Sequence, residues 1–557
     1  MQFHTTPRRN GVKMVYGKSD CRRENDTLLP PPKNRMKALM EHTAIGMTVQ
    51  RIRRWLFHFL LHFGANMEKN IASTSLGFPA YLATPPCDNG ISCANKGWNL
   101  TFAGLCLNSK TLSEIICRIL YFISYNLYFV ISPLSFNRKC DILWSATERR
   151  LRLMIKRELY MSRIRPFIGT ELIKVMTGIR RCGKSVMLEL IKQELTESGV
   201  SPTQFVSINF EDMSYSHLQT AQALHDEITA RAAEIEGKVY LFFDEIQEVK
   251  DWEKCINSLR VSLDCDIYIT GSNAKLLSGE LATYLGGRYV EFVIYPFSFG
   301  EFMELYRSIA PDASIQQCFQ KYLLAGGMPY LANLRYADAP SKQYLHDLFN
   351  SVQLKDIVKR NKIRDVDLLE RIIAYVIANV GTTFSATSLA KFLKNEQRTV
   401  APETILNYIR YCCEAYLFYQ VKREDLQGKQ ILASNEKHYI ADHGIREAVF
   451  GGNMRDINLI LENIVYLELL RRGYEVTVGR TGDKEIDFVC DKRGEKLYVQ
   501  VTYLLASEET VNREFGAYDS IRDNFPKYVV SLDEFDMSRN GIKHRNIRDF
   551  LLAEEWN

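Results

Sequence analysis

The stretch Gly178-Ile-Arg-Arg-Cys-Gly-Lys-Ser185 constrains the fold of this chain more than any other, because it matches the pattern G-x-x-x-x-G-K-[ST]. Upstream, residues 171–177 predict a short buried strand, and downstream, residues 186–195 carry apolar side chains at helical spacing. Glycines let the backbone curl so that successive N–H groups point inward, and the helix N-terminus adds partial positive charge. The order strand, loop and helix therefore predicts a phosphate-binding loop.

The loop positions have predicted roles in binding a nucleotide. Lys184 is expected to reach the β and γ phosphates of ATP, and Ser185 to hold Mg²⁺. Cys182 is expected to contribute its backbone rather than its sulfur. The predicted nucleotide-binding residues are Gly178, Ile179, Arg180, Arg181, Cys182, Gly183, Lys184, Ser185 and, from a later strand, Ser272.

A second part of the site follows a run of apolar residues that begins at Val239 and ends in Asp244-Glu245. A strand buried on both faces is continuously apolar, and in a parallel sheet its carboxyl end lies beside the phosphate loop. Asp244 is therefore predicted to ligate Mg²⁺ together with Ser185, and Glu245 to polarise the attacking water.

Two later features complete the predicted catalytic set. The strand 266–273 ends in Ser272 and Asn273, either of which could contact the γ-phosphate; the alternative is that both are plain turn residues. Arg288 is a candidate arginine finger, supplied within the chain or by a neighbouring copy, and is otherwise a surface arginine. A finger from a neighbour would require a homo-oligomer.

Length and charge divide the chain into unlike parts. Its 557 residues predict about three or four domains. Residues 1–153 hold 21 Lys and Arg against 9 Asp and Glu, whereas residues 154–557 hold 50 against 57. The acidic body offers no general electrostatic attraction for nucleic acid, although a local basic face remains open. The thirteen cysteines have no zinc spacing, which favours free thiols in a reducing cytoplasm.

Residues 1–153 show no sustained hydrophobic period, and we interpret them as a leader that is disordered or not part of the native protein. Their apolar stretch 115–136 is long enough to cross a bilayer, but Arg118, Asn126 and Pro133 weaken it, so a cytoplasmic location is expected unless that stretch spans. Met154 opens a helical pattern that runs into the first strand, and we expect the functional protein to start there.

The motifs together resemble the prokaryotic AAA-type ATPases, in which an ATPase core is followed by a C-terminal region of unknown function. The resemblance covers the chain from about Met154 to its C-terminus, and it implies a parallel α/β core that binds and hydrolyses ATP, with Ser272 or Asn273 at the sensor position. The motifs that carry it are G-I-R-R-C-G-K-S, L-F-F-D-E-I-Q, I-T-G-S-N-A, L-G-G-R, Y-P-F-S-F-G-E-F, L-L-A-G-G-M-P at 323–329, Y-I-A-D-H-G-I-R at 439–446 and E-N-I-V-Y-L-E-L at 462–469.

The predicted ATPase domain, residues 154–335, is followed by a helical domain at 336–450 that resembles a winged helix. Ser385 can cap a helix that runs to Asn395, a second helix runs from about Ala401 to Glu414, and two short strands follow. The exposed face of the second helix, with Arg398 and Arg410 nearby, is modestly basic. The segment 385–440 is therefore a candidate DNA reader, with a packing or protein-binding module as the alternative.

Residues 451–557 look like the core of restriction-endonuclease-type nucleases, in the order helix with Glu462, strand with Asp487, then Gln500. Those nucleases need a lysine two residues after the last ligand, and Thr502 stands there instead. Threonine cannot carry the charge that stabilises the developing phosphorane. We therefore expect an α/β nuclease-like domain that does not cut, unless a lysine from elsewhere in the chain substitutes.

The predicted fold class is α/β, with a parallel-sheet P-loop core followed by winged-helix-like and nuclease-like regions. Three functions are compatible with the sequence. The first is a Mg²⁺-dependent ATPase that acts as a nucleotide-driven switch. The second is an ATP-regulated DNA-binding protein, and the third is an interaction protein whose nucleotide is structural.

Overall fold

The computed structural model describes residues 155–274, 285–426, 428 and 430–556, and for 430–435 it describes the backbone only. The predicted leader, with its apolar stretch 115–136 and Met154, lies outside the described residues. Among the helices of the described ranges, none is both long enough and apolar enough to cross a bilayer.

The first third of the described chain forms a five-stranded, fully parallel sheet with strand order β2-β3-β4-β1-β5. Its strands are β1 (Ile173–Thr177), β2 (Phe205–Asn209), β3 (Val239–Asp244), β4 (Cys265–Thr270) and β5 (Tyr289–Val293). Every residue of β1, β3 and β4 is buried, as expected for central strands of a parallel sheet. The predicted parallel α/β core is confirmed.

Helices cover both faces of this sheet because successive strand residues point to opposite sides. Phe242 packs in one hydrophobic cluster and the next residue, Phe243, packs in another. The helices of this part are α1 (Glu158–Ile164), α2 (Lys184–Glu197), α3 (Ala221–Ala232) and α4 (Trp252–Ser262). The strands of a parallel sheet end at one edge, and α2 begins at that edge directly after the phosphate loop.

A helical region follows, and its first long helix changes character partway. The helix α7 continues without a break into a π-helix, Val352–Lys359, whose turns are wider than those of an α-helix. The helices from here to the C-terminus are α5 (Phe299–Arg307), α6 (Ile315–Ala325), α7 (Asp338–Ser351), α8 (Val366–Ala378), α9 (Ala386–Asn395), α10 (Pro402–Glu414), α11 (His443–Val449), α12 (Ile457–Arg471), α13 (Glu508–Gly516) and α14 (Ile547–Leu552).

The two helices predicted for a winged helix lie where the sequence signals place them. The hydroxyl of Ser385 accepts a hydrogen bond from the backbone N–H of Ser388 and caps α9, and α10 begins at Pro402. Ile405 and Ile409 are buried on the inner face of α10. The predicted pair of strands follows as the antiparallel hairpin of β6 (Phe418–Asp425) and β7 (Gln430–Ile440).

The hairpin is not a separate wing, because β6 also pairs in parallel with β8. It thereby joins a seven-stranded sheet in the order β12-β11-β10-β9-β8-β6-β7. The remaining strands are β8 (Glu475–Thr481), β9 (Lys484–Lys492), β10 (Glu495–Val501), β11 (Lys527–Ser531) and β12 (Lys543–Asn546). One sheet therefore crosses the domain boundary predicted at residue 450, and the winged-helix-like and nuclease-like regions share it.

Candidate nucleotide site

The phosphate loop lies between β1 and α2 and is shaped by two glycines with positive φ. Gly178 has φ 134°, and a Cβ atom there would lie 2.2 Å from the backbone oxygen of Ile294. Gly183 has φ 108° and precedes the first residue of α2. Only a residue without a side chain fits position 178 beside the backbone of the chain that follows β5. This explains why the first glycine of the motif stands there.

The ammonium group of Lys184 lies inside the loop. Lys184 is buried, and its Nζ donates to the carbonyl oxygens of Gly178 at 3.0 Å and Ile179 at 3.2 Å. The same Nζ lies 4.0 Å from Glu245 Oε1. The ammonium thus already occupies the concave side of the loop, where the motif predicts contact with phosphate oxygens.

Asp244 ends β3 within reach of side chains from the two neighbouring strands. Its carboxylate accepts hydrogen bonds from Thr270 Oγ1 at 2.5 Å and from Asn209 Nδ2 at 3.1 Å. Burial raises the pKa of the Asp244 carboxyl, while hydrogen bonds from Thr270 and Ser185 act in the opposite direction. The structure thus brings together Ser185 and Asp244, the two predicted Mg²⁺ ligands.

Glu245 follows at once in a left-handed conformation, with φ 56°. Its backbone N–H donates to Thr270 Oγ1 at 3.0 Å, and its carboxylate accepts from the side-chain amide of Gln247. Thr270 therefore fixes both acidic residues, since its single hydroxyl donates to one and accepts from the other. This residue was not singled out for that role from the sequence.

The segment after β4 also lies at this edge of the sheet. The N–H of Gly271 donates to the backbone oxygen of Met176 at 3.1 Å, which holds the segment beside the end of β1. Ser272 and Asn273 are both buried, and the hydroxyl oxygen of Ser272 has no hydrogen-bond partner among the described residues. An unpartnered buried hydroxyl has hydrogen-bonding capacity left for a ligand.

Arg288 lies at the amino ends of the strands, on the side of the sheet opposite to the phosphate loop. Its backbone oxygen accepts from the N–H of Ile173, the first residue of β1, and Arg288 directly precedes β5, which runs parallel to β1. The length of β1, roughly 16 Å at 3.3 Å per residue, separates it from the phosphate loop. Within its own chain the backbone of Arg288 therefore lies far from the phosphate loop, and the role of Arg288 as an arginine finger stays a prediction.

Arg157, which gives no signal in the sequence, holds the backbone of the phosphate loop. Arg157 is buried, and its guanidinium donates to the backbone oxygens of Cys182 at 3.1 Å and Tyr295 at 2.8 Å. It also pairs with Glu301, whose carboxylate completes the cap of α5. The loop backbone at Cys182 is therefore held by a charge-assisted hydrogen bond, while the Cys182 thiol is free and buried.

A cavity of about 400 Å³ opens in front of the loop. That volume falls within the usual range of ligand sites, and polar loop residues and apolar side chains share its wall. Its lining residues are Ile155, Arg157, Arg180, Arg181, Gly183, Lys184, Ser185, Val186, Asn209, Glu211, Glu245, Phe297, Pro329, Tyr330, Ala332 and Asn333. The donor set and the room in front of it fit a nucleoside phosphate with Mg²⁺.

Comparison with known proteins shows that the phosphate loop and the acidic pair lie within a recognised domain. Residues 170–303 match the family described as "AAA domain", and residues 316–456 match a "Domain of unknown function (DUF8612)". An uncharacterized protein of Haemophilus influenzae is 37% identical over 401 residues, which are 72% of this chain and 99% of that protein. The chain belongs to this family of AAA-domain proteins. An uncharacterized protein of Methanocaldococcus jannaschii, MJ1544, is 31% identical over 393 residues, 68% of this chain and 85% of that protein.

Solved structures also match this AAA protein, at low sequence identity and with TM-scores below 0.5. The Walker-type ATPase PABY2304 of Pyrococcus abyssi has a TM-score of 0.39 and 15% identity, covering 53% of this chain and 95% of that chain. AMPPCP-bound DnaA of Aquifex aeolicus has a TM-score of 0.22 and 13% identity, covering 50% and 90%. The ORC1 protein of Aeropyrum pernix, in a complex with DNA, has a TM-score of 0.24 and 10% identity, covering 56% and 94%.

The nuclease-like region of the AAA protein also brings its predicted residues together. Val501 N–H donates to Asp487 Oδ2 at 2.9 Å, and Asp487 N–H donates to Gln500 Oε1 at 3.1 Å. A lysine from elsewhere in the chain, Lys437 on β7, lies among these residues. Its Nζ lies 2.9 Å from Glu462 Oε1, 2.9 Å from Glu485 Oε1 and 3.7 Å from Asp487 Oδ1.

This cluster is held together by charge. Burial alone would lower the pKa of Lys437, but the carboxylates of Glu462, Asp487 and Glu485 outweigh burial and raise it. Burial and the neighbouring Glu462 raise the pKa of Asp487 well above its ordinary value. Over the described ranges, no group of three or more His, Cys, Asp or Glu side chains has the arrangement of a metal site.

The face of the winged-helix-like region is less basic than the sequence indicates. Arg398 donates hydrogen bonds to the carboxylates of Asp365, the N-cap residue of α8, and Asp367, in its first turn. Its Nη2 lies 2.5 and 2.7 Å from Asp365 Oδ1 and Oδ2. Arg410 is exposed and lies 3.8 Å from Glu414. The charge of Arg398 is thus already neutralised within the protein.

Proposed function

We propose that this AAA protein binds ATP with Mg²⁺, hydrolyses it, and uses the nucleotide state as a switch. The observation that carries the proposal is the group of side chains at the carboxyl edge of the parallel sheet. Lys184 points into the loop, Ser185 is bonded to Asp244, and Glu245 lies 4.0 Å from the Lys184 ammonium. Such a set combines phosphate binding, metal ligation and activation of water.

Each residue has a distinct role in this proposal. Lys184 and the loop N–H groups bind phosphate oxygens, and Ser185 and Asp244 hold the metal ion, which neutralises charge on the phosphates when bound. Glu245 accepts the proton of the attacking water. Arg288 serves a neighbouring copy, since in its own chain it lies at the amino ends of the strands, away from the phosphate loop.

Two variants test the proposal because they remove different steps. Lys184→Ala is expected to weaken ATP binding or abolish turnover, whereas Glu245→Gln is expected to bind ATP and hydrolyse it slowly. Lys192→Ala is a matched control, because Lys192 lies on the same helix and bonds to Glu189 and Ser207 instead. Phosphate release and nucleotide affinity are the measurements. Full turnover by Lys184→Ala would refute the proposal, and tight ATP retention with no phosphate release would favour a structural nucleotide.

A second candidate function is ATP-regulated DNA binding through residues 385–440. It is favoured by the outer face of α10, where Asn407 and Arg410 are exposed, and by exposed Lys394 on α9. Duplex binding that strengthens as salt is lowered and weakens in Arg410→Ala would support this function. This function is excluded if the wild-type chain shows no salt-dependent binding to duplex DNA, either with or without ATP.

A further inference from the structure

Arg180 belongs to the phosphate loop, but its side chain contacts the helical region. Its Nε and Nη2 atoms donate to the two carboxylate oxygens of Asp356, at 2.9 and 3.2 Å, and its Nη1 donates to Glu211 Oε1 at 3.0 Å. A bidentate pair of this kind fixes both the distance and the orientation of its partners. The phosphate loop is thus tied directly to the π-helix that carries Asp356.

Arg180 also belongs to the wall of the nucleotide cavity. Arg180 and Glu211 line the same cavity as Lys184 and Ser185. Burial would lower the pKa of Arg180, but bonds and charges from Asp356, Glu211 and Glu245 raise it. The Arg180 guanidinium can therefore pair either with these carboxylates or with a phosphate group bound in the cavity.

Asp356 is 3% exposed and lies in the wide turns of the π-helix, a feature that often marks functional positions. Three residues earlier, Gln353 is also buried and donates to Glu370 on α8 at 2.9 Å. The start of α8 in turn carries Asp367, which pairs with Arg398 after α9. A shift of the π-helix would therefore be passed to the winged-helix-like region through polar contacts.

On the basis of the proposed ATP binding, we propose that Arg180 discriminates ATP from ADP by exchanging Asp356 for the γ-phosphate, which releases the π-helix. A ligand shifts a conformational equilibrium only by its difference in affinity for the two states. The γ-phosphate supplies that difference, because ADP lacks it and because guanidinium binds phosphate and carboxylate with the same fork geometry. By linkage, the Arg180–Asp356 pair lowers the affinity for ATP as much as ATP weakens the pair.

Three variants of the full chain test this exchange by nucleotide affinity. Asp356→Asn keeps the side-chain size and removes the competing charge, so it is expected to bind AMP-PNP about five- to tenfold more tightly, with ADP affinity changed less than about twofold. Arg180→Gln breaks the same pair but also removes the cation, so no tightening is expected. Asp338→Asn, which breaks the exposed pair with Lys321 on the preceding helix, is the matched control and should match the wild type.

Hydrogen exchange of residues 352–378 provides a second readout. In the wild type, AMP-PNP is expected to lower protection of this segment and ADP is not. Asp356→Asn is expected to show the lowered protection without nucleotide, and Asp356→Glu, which keeps a carboxylate, to retain the wild-type response.

The two levels of the proposal fail differently. If the wild type binds AMP-PNP but Asp356→Asn keeps both the wild-type affinity ratio and the wild-type exchange response, the partner exchange is overturned while ATP binding stands. If the wild type binds neither AMP-PNP nor ADP, the proposed function fails and the partner exchange fails with it.

Discussion

Lys437 Nζ lies 2.9 Å from Glu462 Oε1, so the ammonium group sits among the carboxylates that a nuclease-type centre would present to a metal ion. Tyr439 supports the same oxygen, because its hydroxyl donates to Glu462 Oε1 at 2.6 Å. Lys437 lies on β7, whereas the nuclease pattern places its lysine at position 502, directly after β10. In the sheet, β9, β8 and β6 lie between β10 and β7. The position of Lys437 makes the cluster a buried network of ion pairs.

Lys437→Met is expected to destabilise the protein by about 3–5 kcal/mol, because removing one partner of a buried ion pair leaves uncompensated carboxylates. Thermal or denaturant unfolding measures the effect. Lys484→Met is the matched control, since Lys484 is half-exposed and pairs with exposed Asp519. A loss of stability no larger than in the control would contradict a buried network.

The nuclease-like region is expected not to cut DNA. Incubation of the protein with plasmid DNA and Mg²⁺ or Mn²⁺ should leave the plasmid supercoiled, because Lys437 is committed to Glu462, Glu485 and Asp487. Cleavage that disappears in Asp487→Ala would show that the lysine from β7 acts in place of the one missing at Thr502, and would overturn this expectation.

Thr270→Val is expected to slow ATP turnover by roughly 10- to 100-fold while it preserves side-chain shape. The hydroxyl donates to Asp244 and accepts from the N–H of Glu245, and a hydrogen bond to a charged group contributes about 1.5–3 kcal/mol. Steady-state phosphate release checks the change. Thr196→Val is the control, because that hydroxyl donates to the backbone oxygen of Lys192 at an exposed position on α2. Equal rates in both variants would exclude a role for Thr270.

The stability of the protein should fall as the pH is lowered from about 6.5 to 4. Burial lowers the pKa of both His438 and His443 to about 4. Between pH 6.5 and 4 the unfolded chain binds more protons at these histidines than the folded chain, so stability rises with pH, by up to about 3 kcal/mol for each. Asp442, whose pKa burial raises to about 6, acts in the opposite direction between pH 4 and 6.

His438→Phe isolates one part of this pH dependence. His438 is buried, and neither ring nitrogen has a hydrogen-bond partner within the described ranges. The variant should therefore lose less stability than the wild type between pH 6.5 and 4, as followed by thermal unfolding. His346→Phe, at an exposed position, should keep the wild-type slope. An unchanged slope in His438→Phe would contradict a buried neutral histidine.

Arg288→Ala should leave the turnover of a dilute, monomeric chain unchanged, because Arg288 lies at the amino edge of its own sheet. Any part of the turnover that rises with protein concentration should be lost in this variant. Turnover measured over a range of protein concentrations separates these outcomes. A loss of turnover at high dilution would require Arg288 to act within its own chain.

Local sequence patterns predicted the strands and helices of the core and the residues of the phosphate loop. They did not predict the contacts between distant segments of the chain. The loop at 178–185 and the acidic pair Asp244-Glu245 were found because each is a short pattern next to a buried strand. Lys437 meets Glu462 across 25 residues of sequence, and only the fold brings them together. Arg157 gives no local signal either, because a single arginine before a helix is common.

The position of Arg288 in the sheet could be predicted from strand order. A residue that directly precedes a parallel strand lies at the amino edge of the sheet, whereas the phosphate loop follows a strand and lies at the carboxyl edge. Arg288 directly precedes β5, so its distance from the loop of its own chain follows from strand order alone. The pairing of β6 with β8 had no such signal, because a strand and two helices, β7, α11 and α12, separate them in the chain.

That pairing has a consequence for how the protein is made. The hairpin of β6 and β7 leaves the ribosome before residues 475–481, so one edge of β6 stays without its partner for a few seconds at roughly 5–20 residues per second. An unpaired strand edge is a template for aggregation. Nascent chains that stall before β8 is made would therefore depend on chaperones, and the seven-stranded sheet can be completed only after β12, its last strand in chain order, has been made.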